Sequence, residues 1–165
     1  NTGQDDVFTS DFYKKAIQHL KNPDIMFYSA NGIRTDEILN QQGPMIPVEF
    51  KPDYSQPLNR FKEWFGVINN EITRANNALL APGTVYRKEL HTLIGEPNLK
   101  KFKGAADMEY WARILLNEYK GYYDSVPNWL YRVSDYSTSN LGGFEDFNKT
   151  ILEKYKKLWK EKMQS

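Results

Sequence analysis

Between Phe61 and Leu79, the apolar residues Phe61, Trp64, Phe65, Ile68, Ile72, Ala75 and Leu79 recur at steps of three and four. A 3.6-residue period gathers such a run into one stripe on a helix, whereas a strand would scatter it over both faces. This pattern restricts the fold more than any other in the chain. It predicts one helix from Leu58 to Leu80, stopped by Pro82-Gly83.

The same spacing extends the helical expectation along the chain. Phe8, Phe12, Ala16, Ile17 and Leu20 mark a first helix over Asp11–Lys21, behind a Thr9/Ser10 cap and ahead of Asn22-Pro23. Thr84 reads as the cap of a helix carrying Val85, Tyr86, Leu90, Leu93 and Ile94 to a stop at Gly95. Asn98 opens another, with Ala105, Met108, Trp111, Ala112, Leu115 and Tyr119 on one face and Gly104 as a break near its start. A last helix over Glu145–Met163 carries Phe147, Ile151, Tyr155, Leu158 and Trp159. Sustained period-two alternation is missing, apart from scraps near Val48-Phe50. The expected fold is therefore all-α: antiparallel helical hairpins in a bundle or TPR-like superhelix, with residues 1–165 as a single domain. The expected core contains Trp64, Ile68, Ile72, Met108, Trp111 and Leu115.

A chain of 165 residues can bury a core without staples, and this one has no cysteine, which excludes disulfides, thiol catalysis and cysteine zinc sites. Its formal net charge of +1 gives no general pull toward nucleic acid or an anionic membrane. No apolar run approaches the ~20 residues that span a bilayer. The first residue is Asn1 rather than Met, which fits a removed signal peptide or a cloning boundary. Asn148-Lys149-Thr150 matches a glycosylation sequon of low specificity.

Catalytic patterns are missing. The two histidines, His19 and His91, belong to no metal-binding pair or nucleophile motif, and Gly142-Gly143 lacks the lysine of a phosphate loop. The acidic pairs Asp5-Asp6, Asp36-Glu37 and Glu145-Asp146 read as solvated or as first-turn helix charges. Lys149, Lys154, Lys156, Lys157, Lys160 and Lys162 give the last helix a basic character, best explained by a solvated face. Gln41 to Pro57 carries four prolines and reads as an irregular connector packing Met45, Ile46, Val48 and Phe50 on the core.

Aromatic residues make up 15% of the chain, and they crowd into Tyr119–Tyr136, around Pro127, in a stretch expected to be mostly loop. Rings with polar tips offer a flat apolar face, little rotamer entropy and an edge hydrogen bond. Tyr119, Tyr122, Tyr123, Trp129 and Tyr131 are the candidate ligand contacts, with Asn128 and Asp124 beside them to take hydroxyls. The plainer alternative is a loop pinned to the core by these rings.

Three stretches resemble the starch-utilisation D (SusD/RagB) family of outer-membrane nutrient-binding proteins. Arg34-Thr-Asp-Glu-Ile38 is similar to its Ser/Thr-Asp-Glu segment after the first helix. Trp64 through Ile68 to Arg74-Ala-Asn-Asn77 is similar to its W…Y..I..aN helix. Gly104-Ala-Ala, Tyr110-Trp-Ala-Arg113 and Tyr122-Tyr-Asp-Ser-Val-Pro127 resemble its Gly-Glu-Ala helix and Tyr-Gly-x-x-Pro exit, with Ala105 in place of the Glu. The resemblance covers roughly Phe12 to Pro127, in a chain shorter than most of the family. It implies a helical-repeat scaffold, a secreted or cell-surface location and nutrient capture for a TonB-dependent outer-membrane transporter. Small secreted haem-scavenging proteins on a related superhelix match the length better and imply a porphyrin ligand. The functional expectation is a non-enzymatic protein binding porphyrin (haem) or glycan, without a metal site of its own. A protein-docking module from a phage or host-interaction setting is the alternative, and a helical enzyme comes third.

Overall fold

The computed structural model describes residues 6–47, 49, 51–74, 83–133 and 144–164, with side chains of 144–147 left aside. Helix α1 (Ser10–Leu20) follows the expected pattern: Thr9 caps it by accepting from the Phe12 N–H, and Phe12 and Ala16 are buried. Ahead of it, β1 (Val7–Phe8) is a two-residue strand.

The chain after α1 departs from the all-α expectation. Strands β2 (Phe27–Ala30), β3 (Ile33–Thr35) and β4 (Gln41–Pro44) come next. Helix α2 (Pro57–Trp64) is followed by β5 (Val67–Ile68), β6 (Glu71–Ile72) and β7 (Thr84–Tyr86). Short helices α3 (Leu90–Ile94) and α4 (Leu99–Phe102) and a 3-10 turn (Lys103–Ala105) lead into α5 (Ala106–Leu116). Strands β8 (Gly121–Asp124) and β9 (Trp129–Arg132) and the last helix, α6 (Phe144–Gln164), complete the described elements. The strands form sheets in the orders β1-β9-β3-β4, β7-β2-β8 and β5-β6. The fold is mixed α/β, which overturns the helical bundle, the TPR-like superhelix and the helical-repeat scaffold implied by the family resemblance.

The strongest stripe misleads for a local reason. Helix α2 ends at Trp64, Gly66 takes φ +52°, and Asn69 and Asn70 take φ 51° and 61°. Two consecutive positive-φ residues between paired strands form the turn whose twist suits a tight hairpin, and Asn tolerates it. Val67 pairs with Ile72 and Ile68 with Glu71. Ile72 is buried, but Ile68 sits beside the turn and is 62% exposed, so its expected place in the core was wrong. Trp64, Met108, Trp111 and Leu115 are buried as expected. Ala75 and Leu79 lie outside the described residues. Thr84 is no helix cap: its hydroxyl bonds the Ser29 hydroxyl across the β2–β7 pair at 3.0 Å.

Sheet β7-β2-β8 divides two cores. Along β2 the side chains alternate: Phe27 belongs to the larger cluster with Phe61, Phe65, Trp111, Tyr155 and Trp159, while Tyr28 and Ala30 join Phe12, Ala16 and Trp129. All four β2 residues are buried, as expected for a strand covered on both faces. Helix α5 lies inside the larger core and is buried nearly all round, so it presents little polar face.

The parallel pairs β2–β8 and β3–β9 are successive parts of one strand pair. Ala30 pairs with Asp124 and Ile33 with Leu130, so β8–β9 carries three more residues than β2–β3 across the junction. The surplus lies within the Ser125–Trp129 stretch, and the ladder is bridged by Asn31 N–H to Asp124 O (2.8 Å) and Asn128 N–H to Asn31 O (3.1 Å). Beside this junction Trp129 donates Nε1–H to Ala30 O at 2.9 Å. A Cβ on Gly32 or Gly83 would fall 2.6 or 2.1 Å from its indole, so both positions need glycine's missing side chain.

Candidate functional site

Helix α1 has three sectors. Phe12 and Ala16 face the sheet, Tyr13 and Ile17 form an exposed apolar flank, and Lys15 and His19, one turn apart, form a polar flank. That polar flank meets β8, where Tyr122 and Asp124 share the α1 side by strand alternation. The meeting of these two faces is the best-organised polar surface among the described residues.

At its centre Asp124 is 9% exposed. Its Oδ2 accepts from Lys15 Nζ (2.8 Å), Tyr28 O–H (3.2 Å) and Asn128 Nδ2 (3.3 Å), and its Oδ1 accepts from the Val126 N–H (3.0 Å). Burial alone would raise this carboxyl's pKa. The bonds from Lys15 and Val126 outweigh it and hold the group below the ordinary carboxylate range. Tyr28 accepts in turn from Asn128 Nδ2 at 2.9 Å, and burial pushes its phenol well up, so it remains a neutral donor. Asn128 Oδ1 is buried without a partner.

Above this network three rings lie nearly parallel. His19 stacks on Tyr122 with centroids 3.6 Å apart and 14° between planes, and His19 and Tyr28 are 5.7 Å apart at 19°. Tyr122 is 40% exposed and is held on one face by the imidazole.

The five expected contacts do not converge on one surface. Tyr122 stands on the shelf. Tyr123, next in the strand, points to the opposite face, where it packs near Tyr54 (6.3 Å) and its hydroxyl is buried without a partner. Trp129 is 2% exposed and belongs to the smaller core, with Tyr131 half-buried against it at 6.0 Å. Tyr119 is half-buried against the larger core. Within this stretch Gly121–Asp124 and Trp129–Arg132 are strands where loop was expected; residues 134–136 lie outside the described residues. The residues overlooked in the sequence were Lys15, His19 and Tyr28. The Lys15–His19 spacing and the two-residue step from Tyr122 to Asp124 were the available signals.

The other histidine takes part in a weaker arrangement. Tyr86 and His91 Nε2 share a 3.1 Å hydrogen bond, and Glu96 lies 3.8 Å from Nδ1. The Glu96 side chain is 79% exposed, and burial, with the Glu96 charge, pushes the Tyr86 phenol up. Among the described residues, no three histidine or carboxylate groups are placed to hold a metal ion, and no helix is long and apolar enough to cross a membrane. The shelf offers an exposed aromatic face beside hydrogen-bonding groups. Compared with known proteins, the chain matches no family model, no curated protein and no solved structure.

Proposed function

We propose that the chain is a non-catalytic binding domain that takes a glycan on the α1–β8 shelf. The observation that carries this reading is the Tyr122 ring, partly open to solvent and stacked on His19 at 3.6 Å. An exposed ring already stacked on one face and set beside polar groups suits the apolar face of a sugar. A porphyrin is less well served. Its macrocycle needs several rings around a groove, and Trp129 and Tyr123 are turned into the two cores. Nutrient capture outside the cell, with a TonB-dependent transporter as partner, is the setting that the family resemblance suggests for such a domain.

The test is titration of the protein with neutral and acidic oligosaccharides and with haemin. Shifts of the Tyr122 and His19 resonances with a sugar, lost in Tyr122→Ala, support the reading. A haemin Soret shift that survives Tyr122→Ala, with no sugar response, overturns it. One observation favours a second reading, a protein-docking module: Tyr13, Ile17 and Val7 are exposed apolar side chains along the other flank of α1 and its approach. Loss of partner binding in Ile17→Asp, with Tyr122→Ala unaffected, would favour that reading.

A further inference from the structure

Asn31-Gly32 is the sole Asn-Gly pair in the chain, and the fold fixes both of its members. Gly32 is required because a Cβ there would fall 2.6 Å from the Trp129 indole. Asn31 is 1% exposed, and its side chain fills all four hydrogen-bonding places of an amide. Its Oδ1 accepts from the Gly32 N–H (3.0 Å) and the Ile46 N–H (3.1 Å). Its Nδ2 donates to Ile46 O (2.8 Å) and Ser125 O (3.3 Å). The Asn31 backbone bridges the parallel ladder to Asp124 and Asn128.

The same pair is reactive when it is loose. With no Cβ on Gly32 to hinder the approach, its backbone nitrogen can reach the side-chain carbon of Asn31. Base takes the proton from that nitrogen, the nitrogen bonds to Cγ, and the Cγ–Nδ2 bond breaks as ammonia leaves. Water then opens the five-membered imide at either carbonyl. One opening gives aspartate, and the other gives isoaspartate, with the backbone rerouted through the side chain. The folded chain blocks the first step. The Gly32 N–H is spent on Oδ1, burial keeps base away, and turning the amide would break its bonds to Ile46 and Ser125.

We infer that Asn31 is a covalent modification site gated by folding: it deamidates when the β2–β3 junction opens, and the product does not return to the fold. Aspartate puts an ionised oxygen where Nδ2 stood, facing two carbonyl oxygens with no donor between them. Isoaspartate adds a backbone atom and displaces the bonds to Asp124 and Asn128. Ser125, which helps to close the site, lies 94 positions along the chain, so protection is complete only once that distant segment has docked. The site is independent of what the shelf binds.

The experiment ages the whole chain in mildly alkaline buffer, with and without guanidinium chloride, and maps its peptides for aspartate and isoaspartate. In guanidinium, conversion at Asn31 is expected to outpace that at every other asparagine. In native buffer it should run about tenfold or more slower, as for a site reached only through opening. After dilution from guanidinium, the refolded and misfolded fractions are separated and mapped. The refolded fraction should fall in step with conversion and should retain the amide at position 31, and Asn31→Asp made directly should show the same failure to refold. Equal rates with and without guanidinium overturn the gating, and faster conversion of another asparagine in guanidinium overturns the site. A native spectrum in Asn31→Asp, or refolded molecules that carry the converted residue, overturns the irreversibility.

Discussion

Two buried carboxylates, Glu109 and Asp124, are held by similar groups and do different work. Glu109 sits in the first turn of α5 with no exposed surface. It accepts from Arg113 one turn along (2.6 Å), from Lys154 of α6 and from Tyr155 O–H (3.1 Å), which also bonds the Glu109 carbonyl (2.9 Å). Asp124 likewise has a lysine from another helix, a tyrosine and a third donor. In the first case the cations close over the acid and clamp the last helix to the core. In the second the acid lies on the edge strand of a sheet, and the neighbouring Tyr122 ring stays open to solvent. A buried carboxylate is therefore no guide to function here; Lys15 and Lys154 are similarly exposed, and what distinguishes the two sites is the exposed Tyr122 ring beside Asp124.

The comparison can be broken most forcefully at Glu109. Glu109→Gln leaves Arg113 and Lys154 without their counter-charge, and we expect a loss of about 3–5 kcal/mol, the usual result of breaking a buried pair from one side. The urea midpoint measures it, and a loss below that of Asp124→Asn would reverse the ranking. For Asp124→Asn we expect about 1–2 kcal/mol, because the half-exposed Lys15 can turn to water once released.

Acid sharpens the same contrast. For Glu109, burial works to raise the carboxyl, but the bonds from Arg113 and Lys154 win and hold it low; Asp124 is also held low. Each group therefore titrates lower in the folded chain than in the unfolded one. Their stabilisation is complete above the ordinary carboxylate pKa of about 4 and is lost as pH falls through the folded values. Melting temperatures taken from pH 6 down to pH 2 should fall, and the fall should be shallower in Glu109→Gln and Asp124→Asn than in the parent chain. The smallest expected effect is at Tyr122: Tyr122→Ala should change stability by no more than about 0.5 kcal/mol, as for an exposed side chain. A much larger loss would mean that the His19–Tyr122 stack serves the fold rather than a ligand.

Much of the helical framework was legible in the sequence. Helices α1, α5 and α6 are long enough for the 3.6 period to repeat, and Thr9 and Asn98 cap as their side chains allow. The strands were hidden because they span only two to four residues, too few for alternation to repeat. β2, buried on both faces, shows no polar side at all. The stripe from Phe61 to Ile72 combined a true helix with a hairpin whose Ile68 and Ile72 fell at compatible spacing. Asn69-Asn70 was the sign that separated them. At the site, the aromatic cluster was visible but its division was not. Which of Tyr122 and Tyr123 meets solvent depends on what covers each face of β8, and that is decided by α1 and α5, far away in sequence.

The parallel pairing of β2 with β8 also sets a schedule for the chain's synthesis. Tyr28 and Asp124 are 96 positions apart, and Trp129 closes on Ala30 across 99. While a ribosome is still adding the intervening residues, β2 has no parallel neighbour, and Phe27 and Tyr28 lack part of their cover. Contacts between such distant positions are slow to form, because a long loop must close before any of them is rewarded. The N-terminal quarter therefore leaves the ribosome as an aggregation-prone nascent segment, and its ordering awaits the arrival of Gly121–Arg132. A nascent chain stalled before that point should remain sensitive to protease throughout α1 and β2.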